Sequence, residues 1–201
     1  MKIREIATKN LWLENPVFVQ ILGICSTLAV TNNLRNTLVM TVGVCFVTAL
    51  SNATVSAFRS LIPRKVRMMV QVLVISFYVI LVDLVLRAYL PEVSKALGPY
   101  VGLIITNCII MGRAEAFAQA NPPLISFWDG LTSGLGYMLV LVTIAFVREL
   151  LGFGSLMGFK ILPASFVPWT IMVVPASAFF VLACFIWIAR TVQLRKKGGG
   201  K

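Results

Sequence analysis

The chain has 201 residues, 59% of them hydrophobic and only 12% charged, with a formal net charge of +11 and a mean hydropathy of +0.91. This composition excludes an ordinary soluble domain, and the absence of histidine removes His-ligated haem and most zinc or general-base arrangements. The basic excess lies between apolar stretches and not along one aromatic-studded face, so no nucleic-acid partner is expected.

Lys2, Arg4 and Lys9 precede a first apolar segment, with Asp, Glu, Lys and Arg absent from 15 to 34. Glu14 to Pro16 intervene and no small-x-small cleavage site follows, which predicts a retained span and not a removed signal peptide. Residues 36 to 58 form a second charge-free stretch, and 66 to 88 are interrupted only by Arg67, Asp83 and Arg87. Residues 96 to 112, 130 to 147 and 161 to 189 complete the series. About 20 apolar residues cross a bilayer as helix. The expectation is therefore an all-α membrane protein of six transmembrane helices, a single domain over 1–201 in contact with lipid, with a flexible basic tail at 193–201. With six crossings, thirteen lysines and arginines fall on the side of the termini and five on the other, so both termini are expected in the cytoplasm.

The two halves read alike. Each has a cysteine segment, then a helix rich in Thr, Ser and Gly (36 to 58; 129 to 149), then a bulkier apolar helix (66 to 88; 168 to 190). An odd number of spans per half makes the second enter from the opposite side. That predicts two inverted three-helix repeats, about 10–95 and about 96–192, related by an axis in the membrane plane. Gly43, Ala49, Ser51 and Ala53, and Gly130, Ser133, Gly134 and Gly136, suit close helix packing.

The cysteine segments are PVFVQILGIC (16–25) and PYVGLIITNC (99–108), each with a proline nine residues before the thiol. Pro16 and Pro99 suit a first helical turn. Ser26, Thr27, Asn32 and Asn33 near one cysteine, and Asn107 and Gly112 near the other, weaken regular helix. The first and fourth helices are therefore expected to be interrupted near the midplane, where irregular backbone must be buried or line a site.

Cys25 and Cys108 are thus candidate metal ligands, brought to one place by the repeat, whereas Cys45 and Cys184 have no repeat mate and read as packing residues. A disulfide is less attractive for thiols in a reducing setting. Iron-sulfur clusters are commonly held by about four thiolates; either Cys45 and Cys184 complete such a set, or a partner of the same fold does.

The stretches LGICSTLAVT (22–31), VGLIITNCIIMGRAEAFA (101–118), DGLTSGLG (129–136) and FVREL (146–150) carry a specific likeness over nearly the whole chain. The sequence resembles the family of the D and E subunits of sodium-translocating NADH:quinone reductase and the A and E subunits of Rnf ferredoxin:NAD oxidoreductase. VQVLV (70–74) and VDLVLRAY (82–89) favour the quinone-reductase D type over the Rnf E type. The resemblance implies a bacterial inner-membrane subunit that transfers electrons through an intramembrane 2Fe-2S cluster. Two cysteines would come from this chain, by position Cys25 and Cys108, and two from a homologous six-helix partner of E type and opposite topology. Electrons would pass from a cytoplasmic flavin and iron-sulfur subunit toward a flavin bound elsewhere in the complex while sodium moves outward. No flavin, NADH site or quinone site is expected on this chain. The segment 152–168 is shorter than the family leads one to expect.

Among the acids, Asp83 stands one turn before Arg87 as an i,i+4 pair, and Asp129 is expected to open a helix; both are also ion-path candidates, since intramembrane acids are costly. Arg113 and Glu115 follow the cysteine helix as candidate surface anchors or partner contacts, and Glu149 is expected to pair with a base or headgroup. The alternatives to electron transfer are an inverted-repeat secondary transporter, which architecture alone suggests, and a purely structural subunit.

Overall fold

Long apolar runs with little amphipathic bias fold as helices that bury backbone polarity within themselves, as a bilayer demands. The computed structural model describes residues 17, 19–89, 91–153, 155–156, 159–160 and 173–198. The elements are α1 (Ile24–Val30), α2 (Leu34–Ala57), a 3-10 turn (Arg64–Val66), α3 (Arg67–Tyr89), α4 (Pro91–Ile105), α5 (Cys108–Arg113), a π-helical turn (Ala114–Ala118), α6 (Pro123–Phe153) and α7 (Pro175–Gly198). Two-residue strands, Ser155–Leu156 and Phe159–Lys160, pair antiparallel.

Among the described residues, five helical stretches are long and apolar enough to cross a membrane: Leu34–Ala57, Arg64–Tyr89, Tyr100–Ala118, Pro123–Gly152 and Pro175–Val192. They correspond to the second to sixth expected spans. The first expected span lies partly outside the described residues, as do Pro16 and the N-terminal basic residues; its described part is a turn near Val17 and the short α1. The start expected for the last span, near 168, also lies outside them, and α7 continues as helix to Gly198, through the basic residues expected as a tail.

The centre of the fold is α2 lying antiparallel along α6. Leu34 meets Glu149 at one end, Cys45 meets Gly134 in the middle, and Asn52 meets Gly130 toward the other. Contact is backbone to backbone. A Cβ at Gly134 would stand 2.7 Å from the Cys45 Cα, and one at Gly130 would stand 2.8 Å from the Thr48 carbonyl oxygen. The small residues are therefore obligatory here, which is the close-approach logic of membrane helix pairs. Along α2 the hydroxyls of Thr37, Thr41, Thr48 and Thr54 donate to carbonyls one turn back at 2.6–2.9 Å, which satisfies them without a partner helix.

Met40, Val44, Ile75, Val79, Ile109, Ile110, Tyr137 and Leu141 form the core from α2, α3, α5 and α6. On the outer faces Met69, Leu73, Phe77, Phe180 and Trp187 are exposed, as suits helices that meet lipid. The expected start of the fifth span near Asp129 is corrected: α6 begins at Pro123, where proline's fixed φ and missing N–H fit a first turn, so Asp129 lies well inside the helix.

The cysteine pair as a candidate metal centre

Both cysteines sit at the first turn of a short helix that follows a break. Before Cys25 the backbone turns through left-handed Ile21 (φ 54°) and Gly23 (φ 84°), and Gly23 is the residue before α1. A β-branched residue at positive φ is strained, and Gly23 admits no side chain, since a Cβ there would approach Ile109 at 2.9 Å and Tyr137 at 3.0 Å. Before Cys108 the break is at Thr106–Asn107, where α4 ends and Asn107 caps α5 by accepting the Ile109 N–H at 3.1 Å. The interruption of the fourth helix falls where Asn107 suggests it, but Gly112 does not interrupt α5; a Cβ there would come within 3.1 Å of Leu22. Likewise Ser26 and Thr27 do not break α1. They lie in its first turn, and both hydroxyls donate to the Gly23 carbonyl at 2.9 Å, anchoring the turn that precedes Cys25.

The two breaks bring the thiols together. The Cys25 and Cys108 thiols stand close enough to interact, although the residues are 83 positions apart. Both are free and exposed, while Cys45 is buried with its Sγ 3.5 Å from the Leu131 carbonyl. Among the described residues no three His, Cys, Asp or Glu side chains gather in one place, so neither Cys45 nor Cys184 joins the pair. Two adjacent thiols on an exposed face, with no third ligand of this kind beside them among the described residues, fit half of a four-thiolate site completed by another chain.

Beneath the pair lies Tyr137, fully buried, whose hydroxyl is 2.5 Å from Ser26 Oγ and within interaction range of Asn107 and both cysteines. No pattern in the sequence singles it out.

The charged candidates are engaged inside the chain. Arg113 and Asp129, 5% and 0% exposed, form a bidentate pair in which Nε donates to Oδ2 at 3.0 Å and Nη2 donates to Oδ1; the guanidinium also lies 5.4 Å from the Phe117 ring. Asp83 pairs with Arg87 at 2.8 Å. Glu115 accepts from Arg67 at 2.7 Å and from Gln71 at 2.8 Å. Two further buried charges acquire roles that their sequence neighbours do not reveal. Glu149 accepts the Leu34 backbone N–H at 2.6 Å and so caps α2, whose own Asn33 provides no side-chain bond. Arg148 donates to Thr31 Oγ1 at 2.5 Å and to the Val174 carbonyl at 3.2 Å, tying the end of α1 to the approach to α7.

An array of five helical stretches long and apolar enough to cross a membrane, with two exposed thiols side by side, defines a multi-pass membrane protein. The family model described as "Rnf-Nqr subunit, membrane protein" matches residues 3–186, and the chain belongs to that family. Three relatives are each named as the D subunit of Na(+)-translocating NADH-quinone reductase. The protein of Pseudomonas aeruginosa (strain LESB58) is 50% identical over 94% of this chain and 87% of its own length. That of Psychromonas ingrahamii is 50% identical over 96% and 94%. That of Shewanella loihica is 47% identical over 98% of both chains. These names favour the D type, and neither an Rnf E-type protein nor a secondary transporter gains support from them.

Proposed function

We propose that the chain is the D-type membrane component of a sodium-translocating NADH:quinone oxidoreductase, and that Cys25 and Cys108 supply two of the four thiolates of an intramembrane 2Fe-2S cluster. The observation that carries the reading is the juxtaposition of two exposed, free thiols at two helix breaks, with the other two cysteines elsewhere. The remaining two ligands would come from a homologous E-type partner seated over the pair, in opposite topology. Bound there, the cluster supplies a one-electron carrier. The chain's own part is to hold two thiolates at a fixed separation and to keep them at a surface a partner can cover.

The inverted-repeat architecture belongs to the same proposal. It is supported by the matched breaks before the two cysteines and by the antiparallel pairing of α2 with α6, the second helix of each half. The expected setting is the bacterial inner membrane with both termini cytoplasmic, beside the flavin-bearing subunits of the complex. Glu115, with a side chain 46% exposed, is the better placed of the two partner-contact candidates; Arg113 is nearly enclosed. An ion path through Asp129 or Asp83 requires the pair with Arg113 or Arg87 to open.

In the assembled complex, Cys25→Ser and Cys108→Ser are each expected to abolish NADH-driven quinone reduction while NADH oxidation by a soluble artificial acceptor persists. Quinone reduction at the parental rate in either variant would overturn the assignment.

A further inference from the structure

The hydroxyl of Tyr137 lies where the two cysteine-bearing helix starts converge, and its bonding direction follows from its neighbours. Ser26 has one O–H, and it donates to the Gly23 carbonyl at 2.9 Å. In the 2.5 Å contact between Ser26 Oγ and Tyr137 the tyrosine must therefore be the donor. On the other side, Asn107 accepts the Ile109 N–H through its carbonyl oxygen at 3.1 Å and lies within interaction range of the tyrosine hydroxyl; its buried amide nitrogen makes no hydrogen bond. The directed chain is Tyr137 to Ser26 to the Gly23 carbonyl. Asn107 immediately precedes Cys108, and Gly23 stands two residues before Cys25. Tyr137 itself comes from a third element, α6, and is packed against the Gly23 backbone, so it braces the break before Cys25 and stands beside the one before Cys108.

We propose that Tyr137, acting through Ser26 and through its packing against Gly23, is a positioning residue that sets the separation and mutual orientation of the Cys25 and Cys108 thiols. Removing its buried hydroxyl takes away the donor that fixes the Ser26 oxygen in an apolar setting. The inference rests on the cluster reading for its redox consequence; the geometry of the thiols stands without it.

The test uses the complete complex in a Cys45→Ser, Cys184→Ser background. In metal-depleted complex, a bifunctional thiol-alkylating reagent is added, and the rate of the intrachain Cys25–Cys108 bridge is followed by mass spectrometry of the peptides. Tyr137→Phe and Ser26→Ala are each expected to change that rate several-fold, Ser26→Thr to restore it, and the double variant to do no more than either single one. In iron-loaded complex the same two variants are expected to keep their iron while the electron paramagnetic resonance line shape and the midpoint potential shift. Parental bridging rates in both Tyr137→Phe and Ser26→Ala would overturn the proposal; if Tyr137→Phe does not assemble, Ser26→Ala decides, since it removes the same bond from a small side chain. Loss of the cluster reading would show separately, as an iron content of the complex that replacement of either cysteine leaves unchanged, with the bridging rates still deciding the role of Tyr137.

Discussion

Arg113 and Asp129 show how differently a charge behaves once its partner is known. Removing one member of a buried pair strands the other, at about 3–5 kcal/mol. Asp129→Ala and Arg113→Ala are each expected to lower the thermal stability of the complex strongly. The double variant Asp129→Ala, Arg113→Ala should be milder than the sum of the two, and additive losses in such a cycle would contradict direct pairing. If sodium passes by this residue, Asp129→Asn should in addition raise the sodium concentration needed for half-maximal activity. The cysteines are legible in the sequence because spacing and a repeat mark them. Tyr137, Glu149 and Arg148 are not, because their partners Ser26, Leu34 and Thr31 lie 111, 115 and 117 residues away and no local pattern encodes such a contact. Asp129 is legible as an acid in an apolar helix, but not as the partner of Arg113: the charge-free stretch begins after it, and the helix start that Pro122–Pro123 signal lies a turn and a half earlier.

Helix pairing depends on the absence of side chains. Gly134→Ala drives a methyl group into the Cys45 backbone, and two rigid backbones cannot yield as a flexible side chain would. Overpacking of this kind costs about 1–3 kcal/mol; reduced yield and a lower melting temperature of the complex are expected for Gly134→Ala and Gly130→Ala. Gly102 meets nothing within 4 Å in this chain, so Gly102→Ala should leave the fold unaffected. An assembly defect there would locate a partner surface next to the cysteine helix. At the far end of the same pair, Glu149→Ala removes the acceptor that caps α2, an effect of about 1 kcal/mol or more, to be read in the same melting experiment. The small-residue sets are visible as composition, and the structure shows which of them matter: Gly130 and Gly134 at backbone contact, Gly43 at an ordinary 3.5 Å from Val82. The sequence also points to helix breaks near the right cysteines; Asn32 and Asn33 do fall in the break between α1 and α2, but the break before Cys25 lies on the other side of the residues that suggest one. Ser26 and Thr27 have the composition of helix weakeners, whereas their hydroxyls bond back to Gly23 and make α1 possible; the turn itself comes from the glycine's left-handed backbone.

At the scale of the molecule, hydropathy locates the five spans that the structure describes, since a bilayer imposes length and apolarity on every crossing. Orientation is a separate question of charge distribution. Reporter fusions at the last residue and in the 59–66 connection are expected to report the cytoplasm, and one in the 87–95 connection the opposite side. The way in which the site is completed is legible only in part from one chain, because the proposed ligand set draws half of its thiolates from another. In the proposed function, two thiols of this chain hold a cluster together with a homologous partner. Iron content and visible absorption of the complex, purified anaerobically, test it most directly. Iron content and iron-sulfur absorbance lowered by the share of one cluster in both Cys25→Ser and Cys108→Ser, and unchanged in Cys45→Ser and Cys184→Ser, is the predicted result; absorbance and iron unchanged by replacing Cys25 and Cys108 would contradict it.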